Sequence, residues 1–170
     1  MKNFPFYKDG EELWYSRSIA VVTFIYCKDE NDNWNVLLNL RGKGLPNEVG
    51  KWNSVSGYLD FDEDLAQCAV REIHEETGLI LNRHLINFFA INSIPDSQNQ
   101  VVSILHYVIL PGKTSDYEDL LSNKDCESGE VEDIGFFPIS MLLTSDIELA
   151  FNHKNLIIDI YNKRIANNKV

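Results

Sequence analysis

"GYLDFDEDLAQCAVREIHEETGL", Gly57–Leu79, carries four glutamates, Glu63, Glu72, Glu75 and Glu76, and the last three crowd into five residues. Leu65, Ala69 and Ile73, with Ala66 and Val70 beside them, recur at helical spacing. Asp62 or Asp64 supplies a cap for the start, and Gly78 the left-handed residue that ends the helix. The spacing predicts a helix from Asp64 to Thr77. On it Glu72, Glu75 and Glu76 stand at i, i+3 and i+4, so Glu72 reaches both others. They also lie at the negative end of the helix dipole. Repulsion and dipole together cost about 1–3 kcal/mol. Arg71 offsets part of this by reaching Glu75 or folding back to Glu63. The charge left over calls for a hard cation held by oxygen ligands, Mg²⁺ or Mn²⁺, or else forms a solvated acidic face.

Outward from this helix, "SIAVVTFIYC" (18–27) is β-branched and aromatic, as a central strand is. "KDENDN" (28–33) is turn chemistry and "WNVLLNLR" (34–41) a second strand, which together predict a hairpin. "GKGLPNEVGK" (42–51) is a glycine-rich loop. "LINFFAINSI" (85–94) and "QVVSILHYVIL" (100–110) are two more strands around the turn "PDSQN". Residues 111–133 are mostly polar and predict a long irregular connection, followed by a short strand, "IGFFPI" (134–139). "SDIE" at Ser145 has capping-box form. Leu149, His153, Leu156, Ile157, Ile160 and Ile165 then mark one side of a terminal amphipathic helix. This order points to a single α+β or α/β sandwich domain over residues 1–170.

Composition narrows the function. The 170 residues are 44% hydrophobic and 24% charged, ordinary for a globular domain. The net charge of −11 argues against bulk nucleic-acid binding, while a small anionic substrate needs only local cations. Cys27, Cys68 and Cys126 are odd in number and unpaired in spacing, which points to a reducing, cytoplasmic setting. The N-terminus lacks an apolar signal core, and the apolar run around 19–27 is too short to span a bilayer.

Gly57, five residues, Glu63, seven residues, then Arg71-Glu72-Ile73-His74-Glu75-Glu76-Thr77-Gly78-Leu79 resembles the Nudix box, G-x5-E-x7-R-E-U-x-E-E-x-G-U, where U is aliphatic. Every specified position matches. The approach "GKWNSVSGYLDFDE" resembles the family's usual one, with Ser56 where a second glycine is common. "EVEDIGFFPI" and "ELAFNH" resemble its acidic loop with the following strand and the opening of its terminal helix. The resemblance implies the Nudix fold, a mixed β-sheet sandwiched between helices in an αβα arrangement.

It further implies a divalent-metal-dependent hydrolase in which water attacks the diphosphate of a nucleoside diphosphate derivative. Glu72, Glu75 and Glu76, with the Gly57 carbonyl, would ligate the metal, and Glu63 and Arg71 would tie loop to helix. The general base would be Glu75 or Glu76, or Glu130 from the later loop, with Glu127 and Glu132 as rivals. Arg17, Arg41, Lys43 and Lys51 are the basic residues near the expected pocket, and Trp52 or Trp14 would stack on a base. Dimerisation is also implied.

Other motifs fail. "GLPNEVGKW" has the wrong glycine spacing for a P-loop, with Trp52 where Ser or Thr must bind the metal. "HEETG" has Gly78 where a zinc helix needs its second histidine. A prenyl diphosphate isomerase needs a pocket cysteine, and Cys68 is expected in the core. A decapping enzyme needs a basic groove, which the net charge opposes. A nucleotide-sensing Nudix module stands as the alternative to a hydrolase, set against the complete box.

Overall fold

The two apolar runs flanking the 28–33 turn pair as expected. The computed structural model describes residues 2–95, 100–121 and 129–166. β1 (Phe4–Lys8) and β2 (Glu11–Tyr15) precede β3 (Ile19–Lys28) and β4 (Trp34–Arg41), which form the antiparallel hairpin, Ile25 opposite Leu37. The Asp29 carboxylate closes its turn by accepting the N–H groups of Asn31 and Asn33.

β5 (Trp52–Asn53) and β6 (Val55–Tyr58) lead into α1 (Leu65–Thr77). β7 (Asn87–Asn92) and β8 (Val102–Lys113) form the second expected antiparallel pair, and β8 runs parallel to β3, Ile19 opposite Val102. β9 (Val131–Pro138) lies along one edge of β4. The other edge of β4 is therefore shared: β3 takes residues 34–37, and β5 takes Asn39 and Leu40. β6 continues beside β3, Gly57 opposite Val21. The sheet forks where β4 leaves β3, and the strands filling the fork run directly into the carboxylate-rich segment.

Helices cover both faces. On one, Ile73 and Leu79 pack with Ile25, Leu37, Val55 and Val108. On the other, α3 (Ile139–Thr144) and α4 (His153–Ile160) set Leu142, Ile157 and Ile160 against Phe24, Tyr26, Val36 and Leu38. Burial on both faces explains why β3 is apolar along nearly its whole length. This is the αβα sandwich expected. Among the described residues no helix is long and apolar enough to cross a membrane.

Asp64, not Asp62, caps α1: its side chain accepts from the N–H groups of Ala66 and Gln67, while the Gln67 side chain accepts from the Asp64 N–H. Gly78 ends the helix at φ 79°. Other expectations are corrected. The 111–133 connection is partly regular, because β8 runs on to Lys113, a short α2 (Ser115–Glu118) follows, and β9 begins at Val131 rather than residue 134. Ser145 does not start the last helix. Its N–H and hydroxyl both donate to the Met141 carbonyl, ending α3, and α4 starts at His153. The expected 95–99 turn falls mostly outside the described residues, as do Cys126 and Glu127. β1 and β2 were not expected. Among the described residues they pair with no strand but each other, around Asp9 and Gly10, both at positive φ.

Candidate active site

Arg71 organises the carboxylates. Its guanidinium grips Glu63 with two bonds, Nη2 to Oε1 at 2.6 Å and Nε to Oε2 at 3.0 Å. Nη2 also donates to the Tyr58 carbonyl at 3.1 Å, so loop and helix are tied together. Nη1 donates to Glu72 at 2.6 Å and Glu75 at 3.0 Å. These bonds hold the Glu63 carboxyl down at about 2, and the same contacts push Arg71 upward.

Glu72 is buried, which raises its pKa from the ordinary carboxylate value against the pull of Arg71. Its carboxylate lies where a side chain on residue 57 would be: a Cβ on Gly57 would collide with it. Glu76 turns the other way. Its carboxylate accepts the Asn39 side-chain N–H and, at 3.4 Å, the Ser56 backbone N–H. Desolvation pushes it well above the usual range, and the charge of Glu72 adds to the shift.

Among the described residues, no three His, Cys, Asp or Glu side chains are drawn close enough to ligate one ion. The geometry gives the reason: Arg71 gathers Glu72 and Glu75 to itself, and Glu76 faces Asn39. The donors are nonetheless all oxygens, and the two hydrogen-bond partners of Glu76 are neutral. Beside it, Asn39 Oδ1 is buried with no hydrogen-bond partner among the described residues. Carboxylate and amide oxygens of this kind are what a hard divalent cation takes.

Arg41 links this cluster to the later loop. Only 8% exposed, it donates to the Asn47 carbonyl and side chain, each at 3.0 Å, and lies over the Phe151 ring at 5.0 Å. Burial lowers its pKa, opposed by the fields of Glu76, Glu48 and Glu130. Glu130 is exposed, and its backbone carbonyl accepts the Gly42 N–H at 2.7 Å. The structure thus brings Arg41 and Glu130 toward the Glu76 side of the cluster.

Arg17 and Trp52 are placed differently. The Arg17 guanidinium donates to the carbonyls of Ser93, Gln100 and Val101. Trp52 packs edge-on against Phe137 at 4.5 Å, within the core layer that α3 and α4 cover. Lys51 pairs with Glu48 at 2.8 Å, and Trp14 is exposed on β2. Sequence reasoning missed Asn39 and the Ser56 N–H. Asn39 had a signal: it breaks the apolar pattern of β4 two residues after Leu37, on the side that faces α1.

The NUDIX domain family model matches residues 17–160. The chain belongs to the Nudix family. Solved structures agree on the fold of this Nudix chain. A MutT/nudix family protein from Enterococcus faecalis superposes with a TM-score of 0.71 at 19% identity, covering 89% of this chain and 63% of that one. This Nudix chain therefore spans less than two thirds of that protein's length. The NUDIX domain of Shewanella oneidensis NrtR, complexed with ADP ribose, gives 0.64 at 19% identity, covering 87% and 88%. NrtR from the same organism is also solved with a 27mer DNA, at 0.62 and 21% identity, covering 85% and 60%. A bifunctional NMN adenylyltransferase/ADP ribose pyrophosphatase from Francisella tularensis, complexed with AMP and a manganese ion, gives 0.61 at 16% identity, covering 86% and 41%.

Proposed function

We propose that this Nudix domain is a divalent-metal-dependent pyrophosphohydrolase. Its substrate is a nucleoside diphosphate derivative, cleaved at the diphosphate linkage by water attacking phosphorus. The observation that carries this reading is the complete set of box carboxylates, held around Gly57 and Arg71 at the fork of the sheet. Mg²⁺, or Mn²⁺, supplies charge neutralisation of the phosphate oxygens and a more acidic water when bound.

The chain supplies the rest. Glu72, Glu75, Glu76 and the Gly57 carbonyl hold the cation, while Arg71 keeps the loop from Tyr58 to Glu63 fixed on α1. Arg41 is the cation on the Glu130 side of the cluster and suits a phosphate oxygen. The proton of the attacking water goes to a carboxylate, Glu75, Glu76 or Glu130. Arg17 and Trp52 serve the substrate only through the scaffold that they brace. A cytoplasmic setting accords with Cys27 and Cys68, both free and buried.

A second reading is a nucleotide sensor that binds without turnover, favoured by the likeness to NrtR. Mass spectrometry of a mixed panel decides between them: nucleoside triphosphates, sugar nucleotides, dinucleotides and ADP-ribose, incubated with Mg²⁺ and the protein. Cleavage of one compound at its diphosphate, abolished in a Glu75→Gln/Glu76→Gln double variant, supports the hydrolase. Binding with no turnover under the same conditions supports the sensor.

A further inference from the structure

Two buried amide oxygens lie at the fork of the sheet. Asn39 on β4 and Asn53 on β5 are register partners, 3% and 2% exposed. Both Oδ1 atoms are buried with no hydrogen-bond partner among the described residues. Partners across an antiparallel pair carry Cβ atoms about 5 Å apart on one face. That face is the one α1 covers, since Leu37 and Val55, next in each alternation, pack with Ile73. The amide nitrogens are committed elsewhere, Asn39 Nδ2 to the Glu76 carboxylate and Asn53 Nδ2 to the Ser54 carbonyl at 2.9 Å.

A buried acceptor without a donor costs its full desolvation, and two such acceptors on adjacent strands make poor core. Two neutral oxygens beside one carboxylate are, however, the kind of wall a hard divalent cation takes. Neutral oxygens also add affinity without adding to the repulsion between Glu72 and Glu76.

Resting on the metal-dependent reading of this site, we propose that Asn39 and Asn53 belong to the cation site. Their amide oxygens face the ion, directly or through one of the waters it keeps, alongside the Glu76 carboxylate. Asn53 gives the cleaner test, because it has no hydrogen bond to Glu76. Mn²⁺ is titrated into the whole chain without substrate and the free ion is followed by electron paramagnetic resonance.

Asn53→Leu is expected to weaken binding by about tenfold or more. Asn53→Asp, which keeps the oxygen and adds charge, binds at least as tightly as the parent chain. A leucine variant with unchanged affinity, or an aspartate variant as weak as the leucine one, overturns the proposal. Should Asn53→Leu fail to fold by circular dichroism, the aspartate arm decides alone, and binding weaker than that of the parent chain overturns the proposal. If the parent chain binds no Mn²⁺, the metal-dependent reading falls and this inference with it. If binding is lost in Glu76→Gln yet intact in Asn53→Leu, only this inference falls.

Discussion

Gly57 and Glu72 compete for the same space. Gly57 does not have the positive φ that only glycine tolerates well, so the need here is room for the Glu72 carboxylate. Gly57→Ala should therefore leave the fold nearly intact, costing under about 1 kcal/mol, because only the end of a flexible side chain must move. Hydrolysis should fall about 100-fold, the cost of a misplaced ligand. Parallel urea titration and turnover assays check this, and equal losses in both would count against it. His153 makes a different prediction. Its Nδ1 accepts the Ser54 N–H at 3.1 Å, and burial lowers its pKa to about 4, with Arg41 adding to the shift. The unfolded chain binds this proton below about pH 6.5 and the folded one resists it. The stability contributed is thus complete above 6.5 and lost as pH falls through 4, a loss of about 3 kcal/mol. Glu72 and Glu76, raised carboxyls, act in the opposite sense, so the comparison is with His153→Gln. The stability gap between parent and variant should narrow from pH 7 to 4, and parallel curves would refute it.

The first helix was legible at both ends because its signals are local: the Asp64 cap, the apolar stripe and Gly78. Asp64→Ala should destabilise the chain by about 1 kcal/mol, read from the urea midpoint. The exposed pair of Asp64 with Arg83, at 2.7 Å, adds little. Ser145 shows the limit of such local signals. The serine of a capping box and a serine closing a helix use the same hydroxyl, and only tertiary packing chooses between them. Here Ile139 and Leu142 enter the core, α3 forms, and Ser145 is left to end it. The site behaves alike. Arg71 and the three ligand candidates could be read from spacing along one helix, and Glu63 from its place just before the cap. Asn39 and Asn53 meet only because β5 replaces β3 beside β4, which no periodicity announces.

Among the described residues the β1–β2 ribbon has no strand partner in the main sheet, although Asp9-Gly10 is the turn pair a hairpin favours. A chain beginning at Ser16 should unfold in one transition with a midpoint within about 2 °C of the parent, since the ribbon shares no ladder with the core. A larger drop on calorimetry would show that it braces the body. The central strands were legible as apolar runs, but the order β5-β4-β3-β8-β7 was not, because sequence distance hides which strand crosses beside which. That order has a temporal consequence. β3 and β8 are neighbours in parallel, yet α1 and the fork strands all lie in the chain between them. Closing so long a loop sacrifices chain entropy before any contact repays it, and such closures govern folding speed. The carboxylates can share a helix early, but the apolar layer beneath α1 is complete only when the two distant strands zip together, because Val108 on β8 packs with Ile73. A growing chain that has not yet emerged past residue 113 would carry the whole motif on a helix whose apolar face still lacks β8.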